Sequence, residues 1–480
     1  MWYNDLNMTM RTERDLLGPM EVPENAYYGI HSLRAHQNFD ISGISLHREL
    51  IIALADVKKA CAVANQQTGY LEAPIADAIV AACDEVAGGA LHDQFITDAL
   101  QGGAGTSANM NANEVLANRA IEILGGTKGK YDTVHPLDHV NLSQSTNDVF
   151  PTAVRLASIR LLTAASAAMA DLQKALQHKE AEFADIVKVG RTEMQDAVPI
   201  TLGQEFAAWA QAVQRDWWRL YKAEERLRQV NLGGTAIGTG LNADKDYVLL
   251  AARILRDNTG VNLARAENMI DATQNCDVFV EVSGFVKSAA VNLHKISADL
   301  RLLSSGPRAG INEIDLPALQ AGSSIMPGKV NPVATEAVTQ AAFQIMANDL
   351  AITLAASSGQ LELNAFVPLM AHNLFQSLEL LTNASDLLSE RCIPGITANE
   401  DRCRELLESG FTLVTALSPY IGYEAASKLA CDARQSGRTI RETALSEGLF
   451  TSEQLDAILT AEEMTRPGIA GVDKIDVGGR

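Results

Sequence analysis

The chain has 480 residues, 47% of them hydrophobic, and a net charge of −20 at pH 7. That length is more than one hydrophobic core usually serves, so two or three domains are expected. The acidic balance argues against nucleic acid and anionic membrane surfaces as partners, which need clustered positive charge, but allows a small anionic substrate in a locally cationic pocket.

The start, MWYNDLNMTMRTERDLLG, has no basic head followed by an apolar run, so no signal peptide is read. No apolar stretch reads as long enough and free enough of charge to span a bilayer. The six cysteines are scattered without C-x-x-C pairs, which points to free thiols in a reducing compartment, the cytoplasm. Residues 1–141 mix helical runs with glycine-rich breaks, GGAGTS at Gly102–Ser107 and GGTKGK at Gly125–Lys130.

Residues 142–397 are dominated by long runs of helical period. One extends from Pro151 to about Val187, where Ile159, Leu162, Ala165, Met169, Leu172 and Leu176 recur every three or four residues. A second follows Thr201, with Phe206, Trp209, Val213, Trp217 and Leu220 on one face. Others span about Cys276 to Ser305, Val333 to Ser357 and Phe366 to Glu390, with Pro368 near the start of the last or kinking it. All exceed an ordinary helix of about three turns. Their polar sides are rich in Ala, Ser, Thr and Gln, and a helix weakly polar all round is usually buried. A long bundle that also packs against other subunits follows. Residues 398–480 carry shorter helices, TANEDRCRELLE and SEQLDAILTAEE, and a glycine-rich end expected to fray. Strand signals are sparse, so the fold is mainly α.

Several motifs are set aside. HPLDH places His135 and His139 four apart, as metal ligands on a helix would be, but Pro136 intervenes and no third ligand is apparent. Turn and helix-start histidines are the better reading. GGTAIGTG follows a helical run rather than a strand, and the GK of MPGKV lacks the Ser or Thr of a phosphate loop, so nucleotide binding is rejected.

Four polar segments remain. NLSQSTNDVFPTA sets Ser145, Thr146, Asn147 and Asp148, all N-cap types, before Pro151. One cap needs one such residue; the surplus can hold a carboxylate at the positive end of a helix. GGAGTSANMNANE carries Thr106, Ser107, Asn109, Asn111 and Asn113, and VGRTEMQDAVPITLGQE carries Arg191, Thr192, Glu193, Gln195 and Asp196. Taken alone, a capped turn and a solvated loop explain these two. GSSIMPGKVNP, residues 322–332, brings Ser323, Ser324, Lys329 and Asn331 into a loop with two glycines. A hydroxyl, backbone N–H groups and a cation together suit a substrate on whose carboxylate negative charge develops.

In this order the four segments resemble the aspartase/fumarase superfamily over nearly the whole chain, with GSSIMPGKVNP closely matching its signature loop. TERDLLGPMEVPENAYYGIHSLRAHQNF, QSTNDVFPT, GRTEMQDAVPITLGQEF and CIPGITANEDRC lean to the aspartase side, HPLDHVN slightly to the fumarase side. The resemblance implies three domains (1–141, 142–397 and 398–480), a homotetramer with a core of twenty long helices, and active sites each built from three subunits. It implies Ser323 as the base that takes a proton from the substrate carbon. Ser324 would help hold a carboxylate; Lys329 and Asn331, beside Thr192, would bind the other. Thr106, Ser145, Thr146 and Asn147 would hold the remaining carboxylate and the amino group. The expected reaction is L-aspartate to fumarate and ammonia, reversibly, with no redox or covalent cofactor and no metal ligands; activation by Mg²⁺ is left open. Ser323 would need its alkoxide stabilised by N–H groups and the charge of Lys329, and Gly322 and Gly328 read as flex points of a loop closing over substrate.

Glu193 departs from the family, where His or Gln is usual. A carboxylate beside a dianion repels it. Either Glu193 turns away into a salt bridge, with Arg191 or a neighbouring subunit, or it faces the substrate's ammonium or a larger cationic amine. The first is favoured because the rest of the pocket matches. The competing functions are a fumarase-like hydratase acting on malate and fumarate, a lyase for an N-substituted aspartate, and a structural protein reusing the fold, as lens crystallins related to argininosuccinate lyase do.

Overall fold

A computed structural model describes residues 9–475. The readings of the first eight residues and of the glycine-rich end from 476 lie outside the described residues. The five long helices are Thr146–Glu182, Leu202–Leu227, Asp277–Leu303, Val333–Ser357 and Val367–Asp386, the last followed by a π-helical turn, Leu387–Cys392. All five periodic runs are therefore helical, and Pro368 stands in the first turn of its helix. Among the described residues, strands form only two-stranded pairs.

One helix starts earlier than its proline suggests. Thr146–Glu182 carries Pro151 inside rather than in its first turn. A proline there supplies no N–H to the carbonyl four residues back, that of Asn147. The Asn231 side chain supplies the missing donor, Nδ2 to that carbonyl at 2.9 Å. The same helix corrects the membrane expectation: by length and composition it is apolar enough to cross a bilayer. Yet 72% of its apolar window is buried inside the chain. A helix covered by protein needs few charges, so its composition imitates a span.

The chain forms two compact units. The first takes the chain up to Ala167, with Trp218–Ala290 and Ala342–Thr382; the second takes Ala168–Trp217, Val291–Ala341 and the chain from Asn383 on. Every passage between them falls inside one of the five long helices. In the first unit, the helix Thr106–Ile123 is buried on nearly all sides, including Asn109, Asn111, Asn113, Glu114 and Asn118. Buried polar groups need partners. Asn111 bonds Gln94 O and Ile96 N, and the Glu114 carboxylate accepts the N–H groups of Gly29, His31 and Ser32.

In the second unit, the short helices of the C-terminal part pack around Leu407, Leu417, Leu429, Ile440, Leu455 and Ile458. Each such side chain contributes about 2 kcal/mol by leaving water. Val189 joins this core from the antiparallel hairpin Val187–Thr192 and Gln195–Thr201. The C-terminal core is thus the footing of the hairpin that carries Thr192 and Glu193. The two short motifs read as helices are helical, at Glu400–Ser409 and at Ser452–Ile458 with Ala461–Met464.

Candidate active site

In the first unit, Ser145 precedes the helix Thr146–Glu182, and its Oγ accepts the N–H of Asn147 at 3.2 Å. Thr146 Oγ1 accepts from Asn109 Nδ2 at 3.2 Å, and Asn147 Nδ2 donates to Ala236 O at 2.7 Å. Thr106 opens its own helix, and its hydroxyl donates to Gly103 O at 2.6 Å. The preceding turn needs glycine: Gly105 has φ +98, and a Cβ there would lie 2.4 Å from the Phe150 ring. Asn109, on the Thr106 helix, therefore ties the two helix starts together through Thr146. That places Thr106, Ser145, Thr146 and Asn147 among polar donors at helix N-termini, where an anion is favoured.

Beneath them lie two charged groups that the sequence reading did not single out as functional. Asp148 is fully buried; its oxygens accept the N–H groups of Ser145 (3.0 Å), Gly233 (3.1 Å) and Thr235 (3.0 Å). Lys58, equally buried, donates to Asn141 Oδ1 and Gln144 Oε1, both at 2.9 Å. Burial pushes the Asp148 carboxyl from 3.8 up to about 7 and lowers the Lys58 ammonium from 10.5 to about 8. For a carboxyl raised in this way, the folded chain keeps between about pH 4 and 7 a proton that the unfolded chain has released. Its contribution to stability is fully present below the unfolded value and is lost as pH rises through 7. Melting temperatures measured from pH 4 to 7 are expected to fall with rising pH in the wild type relative to Asp148→Asn. A difference that is flat or rises with pH contradicts the assignment.

In the second unit, residues 322–332 close on themselves: Ser323 N donates to Lys329 O at 3.2 Å. Ser323 Oγ accepts two backbone N–H groups, Ile325 at 3.2 Å and Met326 at 3.1 Å. Such donors favour the oxyanion form of a hydroxyl. Gly322 serves close approach rather than bending, since a Cβ there would fall 1.2 Å from Lys329 O. Gly328, at φ +82, is the position of the loop that needs glycine's freedom. Lys329 meets Ser323 through its carbonyl; its exposed ammonium makes no ion pair among the described residues. Ser324 is exposed and Asn331 half-buried.

Thr192 and Glu193 stand at the tip of the hairpin, where Thr192 pairs with Gln195 around a two-residue turn. Both turn residues are left-handed, Glu193 at φ 53 and Met194 at φ 65, a conformation that favours Asn and Gly. The expected pairing of Glu193 with Arg191 is corrected: the Arg191 guanidinium is forked onto Glu313 at 2.9 and 3.0 Å. Glu193 is exposed and makes no ion pair among the described residues. Asn109 and Asp148 stand in polar segments that the sequence picks out, whereas Lys58 and Glu313 carry no local signal. His135 is a helix-start residue, its Nδ1 accepting from Leu137 N and Asp138 N, and His139 Nδ1 accepts from His135 N. Among the described residues, no three His, Cys, Asp or Glu side chains gather as metal ligands.

The chain is mainly helical, with polar helix starts in one unit and a serine held by two N–H groups in the other. A lyase family model matches residues 18–347, and a fumarase C C-terminus model matches residues 413–466. The chain belongs to this lyase family, the aspartase/fumarase superfamily. It is 54% identical over 462 residues to an aspartate ammonia-lyase of Pseudomonas fluorescens, covering 96% of this chain and 97% of that one. It is 49% identical over 466 residues to an aspartate ammonia-lyase of a Bacillus species, covering 97% of this chain and all of that one. A crystal structure of a fumarate lyase:delta crystallin from Brucella melitensis bound to cobalt superposes with TM-score 0.93 at 50% identity, covering 96% of this chain and 100% of that one. The resemblance read from the sequence is borne out.

Proposed function

We propose that this carbon–nitrogen lyase deaminates L-aspartate reversibly to fumarate and ammonia, with Ser323 as the base. The observation that carries the reading is the pair of backbone N–H groups on Ser323 Oγ. Ser323 takes a proton from the carbon beside one carboxylate. The electron pair left there spreads into that carboxylate as a doubly charged enediolate-like group. The C–N bond then breaks, its pair leaves with the amine, and the carbon–carbon double bond forms. Donors fixed before the reaction stabilise the developing charge more than the substrate's. Ser324, Ser145, Thr146 and loop N–H groups are assigned to this carboxylate, Lys329, Asn331 and Thr192 to the second, and Thr106 and Asn147 to the first carboxylate and the amino group.

A homotetramer with active sites assembled from three copies belongs to the same reading. Exposed Phe343, Leu350 and Leu354 on one long helix suit burial against other copies. The sequential domains 1–141, 142–397 and 398–480 belong to the same reading. So does a cytoplasmic enzyme without a required cofactor, with six free cysteines, five of them buried.

Fumarate formation is to be followed by its absorbance with aspartate, malate and a panel of N-substituted aspartates. Aspartate is expected to be the productive substrate; fumarate from malate but not from aspartate overturns the reading. Arg191 is taken by Glu313 and Glu193 makes no ion pair among the described residues, so a contact of Glu193 with the substrate's ammonium is the reading to test. Glu193→Gln and Glu193→His are expected to change KM for aspartate about tenfold, the effect of one charged hydrogen bond; unchanged kinetics remove Glu193 from the site.

A further inference from the structure

We propose that Glu313 is a positioning residue, whose single buried carboxylate fixes both the Thr192–Glu193 turn and the segment leading into the Ser323 loop. The kinetic part of this inference rests on the function proposed above; the geometric part does not.

Glu313 is fully buried. Its two oxygens take the Arg191 fork, and Lys188 Nζ lies 3.0 Å from Oε2. Lys188 and Arg191 are three apart on one strand, a spacing that points side chains to opposite faces. The strand bulges between Val189 and Arg191, which turns both toward the same carboxylate. Gly190 sits at the bulge, where a Cβ would meet Val198 O at 2.6 Å. Lys188, also buried, gives a second bond to Glu205 Oε1 at 2.8 Å. Thr192, the last strand residue, and Glu193, the first of the turn, follow Arg191 directly.

The other side of the link is backbone. Glu313 N donates to Leu303 O, and its carbonyl accepts the N–H of Asn399, both at 2.9 Å. Ile314 and Asp315 pair with Ala398 and Thr397. From there the chain reaches Ser323 ten residues beyond Glu313. The hairpin tip and the loop therefore share one anchor, gripped by an arginine fork, a lysine and two backbone bonds. Buried charge pairs add little stability over well-packed apolar side chains, whereas a forked arginine–carboxylate pair fixes direction as well as distance. A charged network rooted under two functional segments fits positioning better than stabilisation.

The test uses the full-length protein with Glu313→Gln and Arg191→Lys, the second keeping the charge while losing the fork. Steady-state kinetics on aspartate, thermal melting and amide hydrogen exchange are measured on each. Glu313→Gln is expected to lower kcat/KM about 10²-fold, the cost of an ångström-scale displacement. Exchange is expected to quicken at 192–195 and 322–331 while Tyr423–Ser436 keeps wild-type protection. Arg191→Lys is expected to raise KM about tenfold, with kcat changed less and melting close to wild type. Unchanged exchange at both segments overturns the proposal. So does activity lost only in proportion to a general loss of protection across the C-terminal helices. Should Glu313→Gln not fold, Arg191→Lys decides by the same readings. Should the wild type deaminate no aspartate, the functional reading fails, and the exchange measurement still decides the positioning.

Discussion

Ser323→Ala is expected to lower kcat for aspartate deamination about 10³-fold, within the range for loss of a positioned base, while KM stays within a few-fold. A serine hydroxyl is a poor base in water because its conjugate form is too acidic. Two backbone N–H groups at hydrogen-bond distance from Oγ make the alkoxide less costly. Removing the oxygen removes the proton acceptor but leaves the carboxylate donors, so binding persists while chemistry stops. Steady-state kinetics with a folded, unchanged assembly checks this. Turnover near the wild-type level assigns the base elsewhere. Loss confined to KM makes Ser323 a binding group.

Gly322→Ala is expected to cost about 10²-fold in kcat/KM with a nearly unchanged melting temperature. A Cβ at this position would sit 1.2 Å from the Lys329 carbonyl oxygen, far inside any contact distance. The loop must open there, which breaks the Ser323 N to Lys329 O bond and moves the hydroxyl away from its two donors. The loop residues are largely exposed and contribute little buried area, so the fold tolerates the change. Kinetics and melting measured together decide it: full activity shows that this closed loop is dispensable.

Much of the molecule was legible in the chain. The five helices announce themselves through a period of 3.6, and Ser145, Thr146 and Asn147 through a surplus of capping residues where one suffices. The Ser323 loop stands out as glycine, proline and serine between two periodic runs. Each of these signals is local, because helix formation, capping and turns involve residues a few positions apart. Three things escaped. The helix Thr146–Glu182 begins five residues before its proline because Asn231, far along the chain, supplies the lost donor. Its apolar composition was misjudged because burial, not membrane, accounts for it. Arg191 was offered, beside a neighbouring subunit, as a partner for Glu193 because the two are close in sequence.

By itself, the sequence determined the mainly helical class, the length and order of the long helices, and the residue types at the helix starts and in the loop. Tertiary structure alone decided which charges meet. Arg191 passes over Glu193 for Glu313, more than a hundred residues away, because a bulge at Gly190 turns it and Lys188 to one face. Asp148 and Lys58 acquire their shifted acidities from burial, which outweighs the opposing pull of the groups packed around them. Local conformation follows from neighbouring residues, whereas pairing between distant charges depends on the packed fold that removes them from water.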